Sequence, residues 1–402
     1  MLSDWRFPVL SDVATFISGG TPNKATSEFW GGDIPWVTVS DMKSLRLTDA
    51  QYKLTPAGAA QVRIVEKGTI LVLVRGMGLF KDLPILLCED PLTFNQDIKG
   101  LIPDSDIDSE YLAYALIARK SEILRHVDSA GHGTGRLDTD LLKSTPVPIP
   151  PLHEQWRIAE ILRTWDEAIE KLEALRAAKE LQRKGILQNL LGIDRTFPSH
   201  WEVKPLHKIA ERIRRTNDGG DHPVMTISAK SGFLMQADKF ARNMAGTSVD
   251  RYTLLHEGEF AYNKGNSKTA PYGCIYPLDR PSAVIPFVYF CFKLDESLHH
   301  AFYVHLFAAG ALHHQLSRLI NSGVRNDGLL NLYADDFFNC EVPVPSLEEQ
   351  KQIAKAITAA NEEIALLDSE ITAVQRQKRG LMQKLLTGEW RVSFEDTAEA
   401  EK

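Results

Sequence analysis

The sequence has 402 residues, of which 44% are hydrophobic and 25% charged, and its formal net charge is −7. This length predicts two or three domains of ordinary globular composition. The negative charge excludes a globally basic nucleic-acid surface, so any affinity for nucleic acid must come from local patches. No apolar run reaches membrane-spanning length, the N-terminus lacks the pattern of a signal peptide, and the four cysteines show no close paired spacing. We therefore expect a cytoplasmic protein with reduced cysteines and no membrane partner.

Residues 1–151 are predicted to form a first α/β domain. A tryptophan-led phrase at residues 5–14 opens it, and turn residues flank a predicted strand at residues 34–39. A continuous apolar run at residues 69–74 predicts a buried strand. An amphipathic pattern predicts a helix over residues 109–127.

One long segment occurs twice in the chain. Residues 147–191 and residues 342–386 align without a gap, and such internal repetition is a strong indicator of architecture. In both copies, alternating prolines fix an extended entry where a helix cannot form. A long helix then follows, over residues 152–194 in the first copy and residues 346–388 in the second.

Both long helices carry an apolar seam with 4-3 spacing, which calls for a partner helix. We predict that the two helices pack on each other; the alternative is that each closes its own domain. The first seam is interrupted by Arg176, Lys179 and Arg183, which we interpret as a stutter or as a place where a third surface docks. The apolar stripe of the first helix is expected to move there to Leu175, Ala178 and Leu181. The second seam consists of Ile353, Ile357, Ala360, Ile364, Leu367, Ile371, Val374, Lys378, Leu381 and Leu385.

Residues 195–345 are predicted to form a second domain built like the first. The phrase at residues 201–210 repeats the opening of the first domain, and a strand at residues 260–263 follows a glycine turn, as in the first domain. A helix is predicted over residues 297–320. The chain ends in an acidic tail, residues 389–402, that we expect to be disordered.

Catalytic motifs are mostly missing from the sequence. No glycine-rich fingerprint follows a strand and opens a helix, and no phosphate-binding Gly-Lys-Ser/Thr loop occurs. Asp194 with Glu202 and Lys204 loosely fits a nuclease pattern, but that pattern is short and common. Histidine pairs at residues 299–300 and 313–314 lack the spacing of metal ligands on adjacent helical turns. The sequence therefore favours a non-catalytic protein without a metal site.

Polar and basic side chains are concentrated at the ends of predicted elements in both domains. Asparagine and glutamine suit adenine edges, whereas arginine and lysine suit guanine edges and phosphates. Each residue alone is more simply explained as a solvated loop residue, but their matching places in two similar domains favour a DNA interface. The candidate DNA-binding residues are Thr21, Asn23, Lys24, Arg75, Lys81, Asn95, Gln96, His132, Thr134, Arg136, Asn263, Lys264, Asn266, Ser267, Lys268, Arg325 and Asn326.

Over nearly its whole length the chain resembles the specificity subunit of type I restriction–modification systems. The resemblance rests on the two Pro-x-Pro-x-Leu-x-x-Gln entries with their helices, on residues 20–36 and on residues 260–264. It implies an α+β fold, a pseudo-twofold tandem repeat in which two similar α/β target-recognition domains are separated by two long helices packed as an antiparallel coiled coil. Each domain would recognise one half of a split asymmetric DNA site, and the helix pair would set the gap.

The resemblance also implies partners. These are double-stranded DNA, two adenine methyltransferase subunits docked on the helices, and motor-nuclease subunits. S-adenosylmethionine, ATP and Mg²⁺ would belong to the partners, and this chain would bind no cofactor of its own. Two alternatives stay open: an enzyme with an unrecognised site, and a non-catalytic scaffold of a related DNA-modification system. The target sequence does not follow from the residues, because readout depends on loop geometry and DNA shape.

Overall fold

The computed structural model describes residues 4–130, 133–191, 197–239, 246–265, 270–320 and 330–392. The chain divides into two compact units, Met1–Glu173 with Ser369–Lys402 and Ala174–Asp368. Each unit thus contains one α/β domain and one half of each long helix. The domain boundaries predicted from the sequence stay a prediction, because the division into compact units cuts through the helices instead.

The first unit is built on three sheets, whose strand orders are β1-β10-β6-β8-β3, β4-β2-β9-β5 and β11-β12-β7. Its strands are β1 (Ala14–Ser18), β2 (Trp30–Val37), β3 (Arg46–Leu47), β4 (Tyr52–Leu54), β5 (Ile64–Val65), β6 (Ile70–Leu73), β7 (Arg75–Gly76), β8 (Ile85–Cys88), β9 (Leu92–Phe94), β10 (Ile98–Pro103), β11 (Val127–Ala130) and β12 (Thr134–Leu137). Its helices are α1 (Pro56–Ala59), α2 (Ser109–Ala118), α3 (Lys120–Leu124), α4 (Thr139–Lys143) and part of α5 (Leu152–Leu191).

The core of the first domain lies between the five-stranded sheet and α2. Strand β6 is buried along its whole length, as the apolar run at residues 69–74 predicted, and so is β8. Helix α2 starts at Asp108, whose side chain accepts a hydrogen bond from the backbone N of Tyr111 and so caps the helix. The predicted single helix over residues 109–127 is wrong beyond Ala118. Arg119 leaves helical geometry (φ −96°, ψ 4°), α3 follows, and the chain then enters β11.

The second unit contains a four-stranded sheet of order β14-β21-β18-β19 and the two-stranded pairs β13-β22, β15-β16 and β17-β20. Its strands are β13 (Glu202–Pro205), β14 (Ala210–Ile213), β15 (Met225–Ser228), β16 (Gly232–Met235), β17 (Thr253–His256), β18 (Phe260–Asn263), β19 (Cys274–Pro277), β20 (Ser282–Ile285), β21 (Phe290–Leu294) and β22 (Glu341–Val344). Its helices are α6 (Gln236–Lys239), α7 (His300–Ala308), α8 (His313–Leu319), α9 (Ala334–Phe338) and part of α10 (Leu347–Leu386).

The two domains share a sheet plan. Strands β14-β21-β18-β19 follow the same antiparallel order as β1-β10-β6-β8, and the buried strand β18 takes the place of β6. The helix predicted over residues 297–320 is again wrong as one element. Gly310 adopts a left-handed conformation (φ 82°) that ends the helical run, so α7 and α8 are separate.

The repeated entry segment makes the same buried contacts in both units. The side-chain Oε1 of Gln155 accepts a hydrogen bond from the backbone N of Asp108 at 2.8 Å, and its Nε2 donates to the carbonyl oxygen five residues earlier at 2.9 Å. Gln350 accepts from the backbone N of His299 at 2.8 Å and likewise donates five residues back at 2.8 Å. The first glutamine ties its long helix to the loop before α2, and the second to the loop before α7.

The long helices run antiparallel within each unit. In the first unit the pairs Asp166–Lys378 and Glu173–Gln375 step forward along α5 and backward along α10. In the second unit, Arg176 pairs with Asp368 and Lys179 with Glu363, each at 2.7 Å. The predicted fold class, two α+β domains with two long helices, is confirmed. No described helix combines the length and the apolarity needed to cross a bilayer.

Two of the three basic residues that interrupt the first seam take part in these ion pairs, whereas Arg183 pairs with Glu180 on its own helix. Arg176 and Lys179 stay on the α10-facing side and bind its carboxylates, so the seam keeps its 4-3 spacing. Leu175 is 45% exposed and Leu181 72% exposed, and Ala178 is also exposed. The stutter interpretation is therefore wrong, whereas docking of a third surface at these leucines stays a prediction.

The predicted disordered tail starts with fixed contacts. Arg391 donates from Nε to the carboxylate of Glu154 at 2.8 Å and from Nη2 to Asp4 at 2.8 Å. These two carboxylates hold Arg391 on the first domain, and the disorder of the tail as a whole stays a prediction. Residues 393–402 lie outside the described part of the chain.

Candidate nucleic-acid interface

A cleft of about 440 Å³ in the first domain brings together four of the predicted DNA-binding residues. It lies where β1, β2 and β9 end, so the loops that follow these strands form its rim. The residues that line the cleft are Thr21, Lys24, Trp30, Trp36, Thr38, Tyr52, Asn95, Gln96 and Asp97.

The loops around the cleft are locked to one another by backbone contacts. The backbone N of Gly20 donates to the carbonyl oxygen of Phe94 at 2.9 Å, and the indole Nε1 of Trp36 donates to the carbonyl oxygen of Gly20 at 2.9 Å. A Cβ added at Gly19 would lie 2.3 Å from the carbonyl oxygen of Asn95, so only glycine allows this approach. The cleft is therefore preformed.

One side of the cleft is aromatic. The rings of Trp30 and Trp36 meet edge to face with centroids 5.1 Å apart, and Tyr52 packs against Trp36 at 6.2 Å. Trp36 is buried and fixed, whereas Tyr52 is 49% exposed. The exposed ring thus has area available for a ligand.

The other side presents polar groups. The Oδ1 of Asn95 accepts a hydrogen bond from the backbone N of Asp97 at 3.0 Å, which fixes the orientation of this buried carboxamide. Within the described ranges nothing accepts from its Nδ2. The hydroxyl of Thr21 donates to Oε1 of Gln96. Lys24 is exposed and, among the described residues, has no ion-pair partner.

Two arginines form a second group next to the cleft. Arg75 on β7 and Arg136 on β12 lie directly opposite each other in an antiparallel pair. Both side chains are exposed, and neither has an ion-pair partner in the part of the chain that the structure describes. The carbonyl oxygen of Asp97 accepts from the backbone N of Val74 at 2.9 Å and of Arg75 at 3.2 Å. The arginine pair is thus joined to the cleft by two hydrogen bonds.

The remaining candidates of the first domain have mixed roles. Lys81 is exposed after a short 3-10 helix (Met77–Phe80), and Thr134 begins β12 and is half-buried. Asn23 is a turn residue, because its Oδ1 accepts from the backbone N of Ala25 at 3.0 Å. His132 lies outside the described residues.

In the second domain, two of the predicted residues are described. The Nδ2 of Asn263 donates to the carbonyl oxygen of Ile227 at 3.1 Å, and its Oδ1 accepts from the backbone N of Gly265 at 2.9 Å. Both ends of this carboxamide are thus used to fix the loop. The ammonium of Lys264 lies 5.2 Å from the centroid of the Phe290 ring. The other candidates of this domain, Asn266, Ser267, Lys268, Arg325 and Asn326, lie outside the described residues.

The sequence analysis missed several residues of the interface. From the sequence, Trp30 and Trp36 were assigned only to a turn and a strand and Tyr52 was given no role, although the close recurrence of these aromatic residues was a usable signal. Arg212, at the end of β14, lies over the Phe338 ring at 5.6 Å, and burial lowers the pKa of its guanidinium. The nuclease-like carboxylate pattern finds no support, since Glu202 forms a surface ion pair with its neighbour Lys204 and Asp194 lies outside the described residues.

Comparison with known proteins finds similarity to one group of proteins. Residues 2–181 match the model of the type I restriction modification DNA specificity domain. Over 420 aligned residues the chain is 24% identical to the type I restriction enzyme MjaIX specificity subunit of Methanocaldococcus jannaschii, with 97% of this chain and 94% of that protein covered. Residues 2–181, a little under half of the chain, are thus similar to the type I restriction modification DNA specificity domain. Both descriptions name a part that gives a type I restriction enzyme its specificity.

Other relatives agree with this assignment. The chain is 32% identical over 185 residues to the EcoR124I/EcoR124II specificity subunit of Escherichia coli, a match that covers 45% of each chain. The crystal structure of the S subunit from M. genitalium superposes with a TM-score of 0.56 at 16% identity, over 95% of this chain and 96% of that one. A structure described as the basis of assembly and conformational transition of a type I system superposes with a TM-score of 0.55 at 14% identity.

Proposed function

We propose that this specificity subunit recognises a split, asymmetric DNA site, with residues 1–151 recognising one half and residues 195–345 the other. The observation that carries the proposal is that the cleft and the arginine pair lie next to each other. Six residues predicted to bind DNA lie on loops and short strands that are joined by backbone hydrogen bonds. These residues are Thr21, Lys24, Arg75, Asn95, Gln96 and Arg136.

The two groups suit different parts of DNA. Arg75 and Arg136 bring together two positive charges that have no ion-pair partner among the described residues, which suits contacts with phosphate oxygens and supplies affinity without sequence information. Asn95 and Gln96 carry carboxamides, which suit hydrogen bonds to base edges and supply specificity. In the second domain we keep Asn263 and Lys264 as proposals, with Asn263 acting on loop shape rather than on a base.

The long helices would act as the ruler of the recognition site. Each has 40 residues, which corresponds to roughly 60 Å at about 1.5 Å per residue. We propose that their pairing sets the gap between the half-sites and that their outer faces dock two adenine methyltransferase subunits. Motor-nuclease subunits would complete the restriction complex in the cytoplasm, and S-adenosylmethionine, ATP and Mg²⁺ would be bound by these partners.

A domain exchange tests this assignment. Residues 1–151 are replaced by the first domain of another specificity subunit, the chain is assembled with its methyltransferase partners, and the methylated adenines of a host genome are mapped. We expect one half of the methylated motif to change while the other half and the gap are kept. A motif that changed in both halves would contradict the assignment of one domain to one half-site. A scaffold without a role in recognition would leave the whole motif unchanged.

A further inference from the structure

We propose that the cleft formed by β1, β2 and β9 holds a nucleobase drawn out of the DNA duplex, at a position other than the methylated adenine. The inference rests on the proposed function, namely that the first domain binds DNA. It adds a ligand, an unstacked base, and a mode of recognition to that site.

The shape of the site is the first reason. Base edges inside a groove are reached by side chains that project from a protein. The site here is the opposite, a preformed hollow of about 440 Å³ whose floor includes the buried residues Trp36 and Asn95. Only a part of the DNA that itself projects can enter a hollow, which leaves the sugar-phosphate backbone or an extruded base.

The charge of the cleft argues against phosphate. Lys24 is the cation among the lining residues, and the carboxylate of Asp97 offsets it. Phosphate sites in DNA complexes are instead built from several arginines, lysines and backbone N–H groups. The arginine pair Arg75 and Arg136, which lies beside the cleft, has that chemistry. The cleft therefore suits a neutral group, with the phosphates bound next to it.

The lining suits a flat, hydrogen-bonding ring. Extruded bases are held by stacking on aromatic side chains and by hydrogen bonds to their polar edge. Tyr52 offers an exposed ring braced against the fixed Trp36. Asn95 is 9% exposed, and its Oδ1 is already occupied by the backbone N of Asp97, so its Nδ2 is a donor of fixed orientation. Asp97 also lines the cleft, and its carboxylate is an acceptor, one oxygen of which lies 3.4 Å from Nε2 of Gln96.

The test uses the complete methyltransferase complex and a duplex that carries its methylated motif. Each base of the half-site recognised by the first domain is probed in turn by an abasic site placed opposite it, which removes its pairing partner. Extrusion of an unpaired base costs less, so binding should tighten on the order of tenfold where a base is drawn out. The methylated adenine should also show this gain, because the methyltransferase takes it out of the stack.

Two variants connect the effect to the cleft. Asn95→Ala and Tyr52→Ala should abolish the gain in affinity that an abasic site causes opposite the base held in the cleft. The gain in affinity opposite the methylated adenine should stay unchanged. Tyr333→Ala is the matched control, because Tyr333 is an exposed tyrosine of the second domain. Titration with free mononucleotides, followed by tryptophan fluorescence, distinguishes a base in DNA from a nucleotide in solution.

The outcomes separate the inference from the proposed function. The cleft does not hold a base if an abasic site raises affinity only opposite the methylated adenine, or if the rise at another position survives both variants. The proposed function would stand in either case. Tight binding of free mononucleotides without a second gain on DNA would overturn the inference as well. If the complex binds no specific duplex at all, the proposed function fails and the inference fails with it.

Discussion

The carboxylate of Glu154, at the start of the first long helix, accepts a hydrogen bond from the indole Nε1 of Trp5 at 3.1 Å. The second repeat has the same contact, from Trp201 to Glu349 at 3.3 Å. In each repeat the first tryptophan of a domain is thus bound to the first turn of the helix that follows that domain. The contact explains why the tryptophan phrase and the helix entry recur together in the sequence.

The entry glutamines should be large contributors to stability. Gln155 is 1% exposed, so its truncation leaves a buried backbone N–H and a buried carbonyl without partners. We expect Gln155→Ala to lower the free energy of unfolding by about 1–3 kcal/mol in urea titrations. Gln188→Ala, an exposed glutamine on the same helix, is the control and should change little. Equal effects of the two variants would refute the role of the entry contact.

The contact between the long helices in the first unit depends on Asp166. Its carboxylate pairs with Lys378 and accepts from the hydroxyl of Tyr114 at 2.5 Å, and both charged side chains are largely buried. Asp166→Ala should cost about 1–3 kcal/mol of unfolding free energy, because it leaves the ammonium without its partner. Arg176→Ala removes an exposed pair and should cost much less. A reversed order in urea titrations would contradict this ranking.

Glu349 should make stability depend on pH. Hydrogen bonds from His200, Ser346 and Trp201 lower the pKa of its carboxyl to about 2. A carboxyl group with a lowered pKa stabilises the folded state at any pH above the ordinary pKa of the group. This contribution is lost as the pH falls towards about 2. Glu349→Gln should therefore lower the Tm at pH 6, and its difference from the wild type should shrink by pH 3. Glu348→Gln is the control, and a difference that did not vary with pH would contradict the assignment.

The arginine pair should supply affinity without specificity. In the assembled complex, Arg75→Ala and Arg136→Ala should each weaken binding to all sequences alike and reduce the slope of log affinity against log salt by about one. Arg157→Ala, an exposed arginine on α5, should leave that slope unchanged. A change in the recognised motif without a change in slope would show that these arginines contact bases instead.

The long helices could be predicted closely because their signals are local. The helix that starts at the proline entry spans Leu152–Leu191 in the first copy and Leu347–Leu386 in the second, within the predicted ranges 152–194 and 346–388. The seam positions were also correct, but the sequence could not show that acidic residues of α10 neutralise Arg176. That contact joins residues nearly two hundred positions apart.

The candidate site was predicted as a set of residue types but not as a geometry. Asn95, Gln96 and Thr21 were selected as loop residues, whereas their meeting with Trp30 and Tyr52 depends on which strands become neighbours. The facing of Arg75 and Arg136 depends on the pairing of β7 with β12, which no local pattern encodes. Sheet neighbours are long-range contacts, and hydrophobic periodicity does not specify them.

The central claim is that this chain chooses the DNA site at which its partner subunits act. The most direct measurement is a map of methylated adenines in a host genome that expresses the methyltransferase partners with and without this chain. We predict a new split motif with a fixed gap that appears only when the chain is present. No new methylation while the partners are active, or a continuous motif without a gap, would contradict the account.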